Sequence, residues 1–303
     1  MLGRMEPDAT ERAKAYWESS HAAAEHELHD NIFRHPLVQA YATLQAYGSL
    51  VGQIDALTVA IQERTRPGDE ILSVCCGPAL KERVIARALP DRRFLGIDIA
   101  DGVVTKARAE IAAAGIANLT VEIGDVNHLQ LRADRFACVL GLGAIHHLTN
   151  LEGFWEQCLR GLRVGGSVIA EEYIGPSRFQ WNEAQIREGD RVLRDLVPAV
   201  HQVHHGSIRR IPVESMLRTD PSEAVRSAEI LATCKASGLD VTAVVGVGCS
   251  LLQPVLMHQI AAFDPRNWDH NLVLSRLFAE EQRLLLAGVL DHDFAILVAV
   301  KRR

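Results

Sequence analysis

From Glu70 onward, short apolar runs alternate with amphipathic stretches. Glu70–Cys75, Phe94–Ile97, Leu119–Ile123, Phe136–Leu142 and Ser167–Ile174 each read as a strand. Phe136–Leu142 is almost continuously apolar, as a strand buried on both faces must be. Between the strands, Leu80, Val84, Ile85, Ala88 and Leu89 share a helical face ahead of Pro90. Val104, Ala107 and Ile111 share another, with Gly115 just past its end. Leu151–Leu162 reads as a third helix and Gly165-Gly166 as a turn. Strands separated by helices predict an α/β fold with a parallel, doubly wound sheet.

The pattern differs on either side of this core. Before it, Leu37, Tyr41, Leu44, Gly48, Leu50, Ile54, Leu57 and Ile61 recur at helical spacing until Arg66-Pro67-Gly68-Asp69 breaks the run. After it, a helix is expected over about Asn182–Leu196, followed by an irregular stretch through Pro198 and Pro212. Asp220-Pro221-Ser222-Glu223 then offers a cap, a first-turn proline and a capping-box glutamate, predicting a helix that runs towards Lys235. Leu239–Val247 and Phe294–Lys301 read as strands, an antiparallel pair closing the sheet edge. The expected organisation is a helical lid at 1–65, the core at 66–175, a substrate-covering insertion at 176–238, and the last two strands with a helical insertion at 239–303.

Composition sets limits on function. Hydrophobic residues make up 48% and charged residues 23%, so there is ample material for a buried core and no signature of disorder. A formal charge of −6 disfavours nucleic acid as a partner. Val241–Phe263 carries no Lys, Arg, Asp or Glu, a length that could span a bilayer. Gly246, Gly248, Ser250, Gln253, Pro254, His258 and Gln259 interrupt it, so a strand followed by a helix is expected and no membrane insertion. The N-terminus has no apolar signal region, and the six cysteines form no C-x-x-C pair. Reduced thiols and a cytoplasmic location are the corresponding expectations.

In an open parallel sheet, ligands bind beyond the carboxyl ends of the strands, so the residues there carry the chemistry. The first strand leads through Ser73, Val74, Cys75, Cys76, Gly77, Pro78 and Ala79, small residues that let a ligand approach the backbone. The second ends at Asp98, placed to accept hydrogen bonds from two ribose hydroxyls. The third runs into Gly124-Asp125-Val126, where a carboxylate and an amide can meet an adenine edge.

With these features in register, the chain resembles the class I S-adenosylmethionine (SAM)-dependent methyltransferases over about residues 66–175. ILSVCCGPA stands where that family has its glycine-rich first motif, GIDIA where it has the ribose-binding acid, IGDV where it has the adenine-side acid, and LGLGAIHHL where the fourth strand enters the active site. The resemblance implies a Rossmann-like core with an antiparallel last strand, SAM as cofactor, and Ser73, Cys75, Gly77, Asp98, Ile99, Asp125, Val126 and Gly141 as its contacts. Ser73 replaces a customary acid, Cys75 and Ala79 replace two customary glycines, and Ala137 stands where an aspartate is common. GPSRFQW (175–181) and DPSEAVRS (220–227) are similar to methyltransferase domains found beside bacterial glycosyltransferases.

The resemblance implies in-line transfer of the sulfonium methyl to an O, N or C nucleophile, which chiefly requires alignment and exclusion of water. His146 and His147, just past the fourth strand, are the candidate general bases. Glu171, Tyr173 and Arg178 are candidates for substrate contact; by alternation Glu171 and Tyr173 share one strand face and Glu172 takes the other. His201-x-x-His204-His205 lacks a nearby cysteine or carboxylate ligand, so no metal is expected there. The expected acceptor is a small metabolite or a sugar-containing intermediate, methylated at oxygen or nitrogen, and a homodimer is compatible with the long additions. The rival readings are a protein or RNA methyltransferase and a non-catalytic partner built on the same fold.

Overall fold

The computed structural model describes residues 7–22, 31–202 and 206–303; His204 and His205 lie outside the described residues. The strands are β1 (Glu70–Val74), β2 (Arg93–Asp98), β3 (Leu119–Ile123), β4 (Phe136–Leu142), β5 (Leu162–Tyr173), β6 (Asp240–Gly248) and β7 (Phe294–Val300). They form one sheet in the order β3-β2-β1-β4-β5-β7-β6. β1 to β5 pair in parallel, and β7 lies antiparallel between β5 and β6. The chain winds outwards from β1 in both directions, which opens a crevice beyond its carboxyl end.

The helices of the core are α4 (Leu80–Ala88), α5 (Asp101–Ala113) and α6 (Leu151–Gly161). Ahead of them come α1 (Pro7–Ala22), α2 (Pro36–Tyr47) and α3 (Gln53–Arg64); after β5 come α7 (Glu183–Leu196), α8 (Val213–Thr219), α9 (Ile230–Ala236), α10 (Leu252–Leu256) and α11 (Trp268–Leu286). Strand alternation divides the interior in two. Leu72, Val139 and Val168 face a core with Phe154, Trp155 and Cys158 of α6 and Ile230 and Cys234 of α9. Ile71, Cys138, Leu140 and Ile169 face one with Leu57 and Ile61 of α3, Ile85 of α4 and Val104 of α5. A third core gathers Tyr41, Trp181, Val192, Leu252, Leu256 and Leu277 with Tyr173 of β5, and so anchors the additions at the ends of the central strands.

Asn182 caps α7 with the reciprocal box to Gln185, which fixes that helix where its polarity pattern placed it. Val241–Phe263 is a strand, a short helix and a turn, and no helix among the described residues is long and apolar enough to cross a membrane. Three expectations need correction. The buried residues of α4 are Glu82, Ile85 and Ala86, followed by Leu89 just past its end, with Leu80, Val84 and Ala88 exposed, because Ser73 Oγ draws Glu82 inwards with a 2.7 Å hydrogen bond. Gly165-Gly166 is not a separate turn: it lies inside β5, where the register against β4 shifts. Asp220–Glu223 opens no helix towards Lys235. The segment turns back at Ala224 (φ 48°), held by the amide of Arg178 on the Ala224 carbonyl (2.7 Å) and the amide of Val225 on the His146 carbonyl (3.0 Å), and α9 starts only at Ile230.

Candidate active site

The loop after β1 keeps a glycine-type backbone although two of its residues are not glycine. Cys75, Gly77 and Ala79 all have positive φ, at 46°, 54° and 54°. A non-glycine residue in this region costs about 1–2 kcal/mol and persists only where its surroundings dictate it. Here they do. Asp98 Oδ2 accepts the Gly77 amide at 2.8 Å, Asp98 Oδ1 accepts the Ala100 amide at 3.0 Å, and the Cys76 amide reaches the Ile97 carbonyl at 3.1 Å. A carboxylate has lone pairs for about four donors, so Asp98 keeps capacity for a ligand.

This loop walls a cavity of about 240 Å³ together with Asp98, Ile99, Gly124, Asp125, Val126 and Leu148. Asp125 starts the next turn: its Oδ1 accepts the amide of Asn127 at 2.9 Å, and its Oδ2 lies 2.8 Å from His128 Nδ1. Trp17 of α1 and Ser222 complete the wall.

A larger cavity of about 790 Å³ adjoins it. On one side Glu171 accepts from Gln53 Nε2 (3.0 Å), Lys81 Nζ (3.2 Å) and the Tyr47 hydroxyl. Burial and that carboxylate raise the Tyr47 phenol well above its ordinary range, so it stays a donor. On the other side stand His146, His147, Asp220 and Glu223.

Glu172, fully buried, organises the histidine loop. Its Oε1 accepts the amides of Ala144 and Ile145, both at 2.8 Å, and its Oε2 lies 2.8 Å from His146 Nδ1. All three contacts need the carboxylate as acceptor, so His146 carries its hydrogen on Nδ1 and turns the Nε2 lone pair outwards, 3.7 Å from Glu223 Oε1. Gly141 makes room for this loop: a Cβ there would meet Ile145 Cδ1 at 2.7 Å.

The same logic orients His147. Ser222 Oγ gives its one hydrogen to Asp220 Oδ1 at 2.6 Å and accepts Trp17 Nε1–H at 3.3 Å. Its contact with His147 Nδ1, at 3.3 Å, is therefore donated by the imidazole. Burial, and then the neighbouring His146, hold the His147 ring below its ordinary pKa and hence neutral at neutral pH. Burial pushes the Glu223 carboxyl upwards, partly offset by His147.

Of the residues picked from sequence, Cys75, Gly77, Asp98, Ile99, Asp125 and Val126 line the smaller cavity. Ser73 and Gly141 line neither cavity: Ser73 is engaged with Glu82 inside the sheet, and Gly141 packs on Ile145. His146, His147, Glu171 and Tyr173 all reach the larger cavity. Arg178 does not, because its guanidinium is committed to the carbonyls of Pro221 (2.6 Å) and Glu223 (3.0 Å). Sequence reasoning missed Trp17, Glu172, Asp220, Ser222 and Glu223 as parts of one site. The available signal for Glu172 was register: Glu171 pairs with Leu142, so the next residue falls beside the histidine loop.

Comparison with known proteins agrees with this geometry. Residues 71–166 match the family model described as a methyltransferase domain. The demethylmenaquinone methyltransferase of Symbiobacterium thermophilum is 31% identical over 121 residues, which covers 39% of this chain and 48% of that protein. The arsenite methyltransferase of Halobacterium salinarum is 22% identical over 114 residues, 37% of this chain and 29% of that one. The chain thus spans about half or less of the length of these curated relatives. Over nearly the whole chain (98% of each), the fold resembles that of geranyl diphosphate C-methyltransferase from Streptomyces coelicolor A3(2), with a TM-score of 0.55 and 11% identity. Over residues 71–166 the chain matches a methyltransferase domain, and in that core it is similar to the class I SAM-dependent methyltransferases.

Proposed function

We propose that this protein transfers the methyl group of SAM to an oxygen or nitrogen of a small metabolite, or of a sugar-containing intermediate, held in the larger cavity. One observation carries the reading: Trp17, Cys75, Cys76, Gly143 and His147 belong to the walls of both cavities, so a donor in one and an acceptor in the other meet across a common boundary. Asp98 would take the ribose hydroxyls, Gly124–Val126 the adenine, and the Cys75–Gly77 loop the methionine part. The names of the two curated relatives, which act on demethylmenaquinone and arsenite, favour a small acceptor over a polymer, as does the net charge of −6.

In the transfer, the acceptor lone pair forms a bond to the methyl carbon while the carbon–sulfur bond breaks. Its electrons return to sulfur, and the sulfonium becomes a neutral thioether. An acceptor that carries a proton loses it on the side of His146 and His147, which line the cavity. Alignment of the two reactants and exclusion of water supply most of the acceleration. Glu171, with Tyr47, Gln53 and Lys81 around it, and Tyr173 would contact the acceptor's polar and apolar parts. The helices ahead of the core and the segment 176–238 would act as its cover.

Calorimetric titration with SAM and with its demethylated product tests the reading. Micromolar binding is expected, roughly 8 kcal/mol on the affinity scale, with a loss of at least a hundredfold in Asp98→Ala. Transfer of a labelled methyl group to a panel of small hydroxyl- and amine-bearing metabolites should follow. If neither ligand binds the wild-type chain, the transferase reading fails and a non-catalytic partner role replaces it.

A further inference from the structure

We infer that His146 Nε2, His147 Nε2 and the Glu223 carboxylate form a binding site for a borderline divalent transition-metal ion at the acceptor end of the larger cavity. The inference deepens the proposed methyl transfer and rests on it only for the ion's chemical role. One ligand atom of each residue, an imidazole nitrogen or a carboxylate oxygen, lies within 4.8 Å of the other two. Ligation at about 2.0–2.2 Å requires them to draw in by about 1–2 Å, which side-chain rotation supplies.

Four features set this group apart from a chance cluster. First, both imidazoles already hold the hydrogen-bonding state that metal-ligating histidines need. Each donates Nδ1–H to a partner, His146 directly to Glu172 and His147 through Ser222 Oγ to Asp220, which leaves both Nε2 lone pairs for a ligand. Second, Glu223 accepts no side-chain hydrogen bond from the described residues although it lines the cavity; its Oε1 lies 3.7 Å from His146 Nε2. Third, Asp220 is 5% exposed and its Oδ2 is buried with no hydrogen-bond partner. Fourth, the charges do not balance. Glu172, Asp220 and Glu223 converge on this wall, and among the described residues the guanidinium that faces Asp220 and Glu223, Arg178, is committed to backbone carbonyls. A doubly charged cation would bring three carboxylates and one guanidinium to neutrality.

Two imidazoles and one carboxylate suit zinc, manganese or iron(II) and leave coordination positions open, whereas magnesium prefers an all-oxygen shell. An acceptor oxygen on an open position would ionise more readily. With the ion bound, both Nε2 atoms are engaged and no longer take the proton, which would then leave to a water at the mouth of the cavity rather than to the histidines.

The test uses the full chain after chelator treatment, titrated with Co²⁺ as an optical probe, then with Zn²⁺ and Mg²⁺, with SAM binding measured on the same preparation. Expected are one equivalent of Co²⁺ with the visible bands of nitrogen and oxygen ligation, displacement by Zn²⁺ but not by equimolar Mg²⁺, and at least a tenfold weaker Co²⁺ site in Glu223→Gln. In the wild-type chain, Zn²⁺ should also shift the Nε2 nitrogen resonances of His146 and His147, a readout that needs no variant to fold. Identical Co²⁺ binding by wild type and Glu223→Gln with unmoved histidine resonances overturns the inference, as does a thiolate charge-transfer band marking Cys75 or Cys76 as the ligand. A chain that takes the metal as expected but no SAM supports the site while refuting methyl transfer. A chain that takes SAM but no metal does the reverse.

Discussion

Glu172 Oε2 lies 2.8 Å from His146 Nδ1, and the other oxygen of the same carboxylate holds the amides of Ala144 and Ile145. One fully buried side chain at the end of β5 therefore fixes both the path of the loop after β4 and the tautomer of a cavity histidine. Replacing it by glutamine keeps the shape but introduces an NH₂ group that must face a donor. Glu172→Gln is expected to lose roughly 2–3 kcal/mol in urea denaturation, the order for a buried hydrogen bond to a charged group. In the same variant the slowly exchanging Nδ1–H resonance of His146 should disappear from the nitrogen-correlated spectrum. An unchanged resonance would show that the ring is held by something else.

Gly141 tolerates no Cβ without movement of Ile145, whose Cδ1 and Cγ1 would lie 2.7 and 2.8 Å away. Gly141→Ala should cost about 1–3 kcal/mol as an overpacked core site. Removing both of those atoms relieves the clash, so Gly141→Ala with Ile145→Ala should be more stable than the sum of the two single changes predicts. Additive denaturation midpoints would place the strain elsewhere.

Arg178 staples the turn that carries Asp220, Ser222 and Glu223, and it does so from a left-handed backbone of its own (φ 57°). Arg178→Lys should fail to replace it, since a single ammonium cannot span the two carbonyls as the guanidinium fork does. Destabilisation of roughly 1–3 kcal/mol is expected for both Arg178→Lys and Arg178→Leu, the cost of buried acceptors left unmet. Full stability in the lysine variant would mean that the fork geometry is dispensable.

Asp293 gives the fold a pH dependence that can be signed in advance. Burial pushes its carboxyl up to about 7, against the hydrogen bond from Gln185 Nε2 at 2.7 Å and with further help from Glu281 and Asp291. Its unfolded value is about 3.9, so between the two the folded chain holds a proton that the unfolded chain has released. The contribution to stability is full below about pH 4 and declines as pH rises to about 7, by at most ~1.4 kcal/mol per unit. Asp293→Asn should abolish that slope, gaining on wild type by a few kcal/mol between pH 5 and pH 8 in urea titrations. Parallel curves for the two proteins would rule the effect out.

The strands were legible because their signal is local. Phe136–Leu142 is apolar throughout since both of its faces are covered, and the alternation within Glu70–Val74 sends Ile71 and Leu72 to different cores. The acidic residues at the strand ends were legible for the same reason: Asp98 closes β2, and Asp125 follows β3 by two residues. The Asp220–Glu223 turn was not. Its residues form a sound helix cap by themselves, but Arg178 and His146 pull the chain off the helical path, and contacts so distant in sequence leave no periodicity. Cys75 and Ala79 misled in the opposite direction. They replace two customary glycines, yet the backbone keeps positive φ at both positions because Asp98 and Ile97 hold the segment.

Trp17 lies edge-on to His147, with ring centroids 5.0 Å apart, and its indole belongs to the walls of both cavities. The other three tryptophans sit in unrelated surroundings: Trp155 and Trp181 are deep in two cores, and Trp268 is 79% exposed on α11. The protein therefore carries its own optical gauge. Occupation of either chamber changes the environment of a single indole against three steady ones, so donor and acceptor loading can be followed by intrinsic emission on the unlabelled chain.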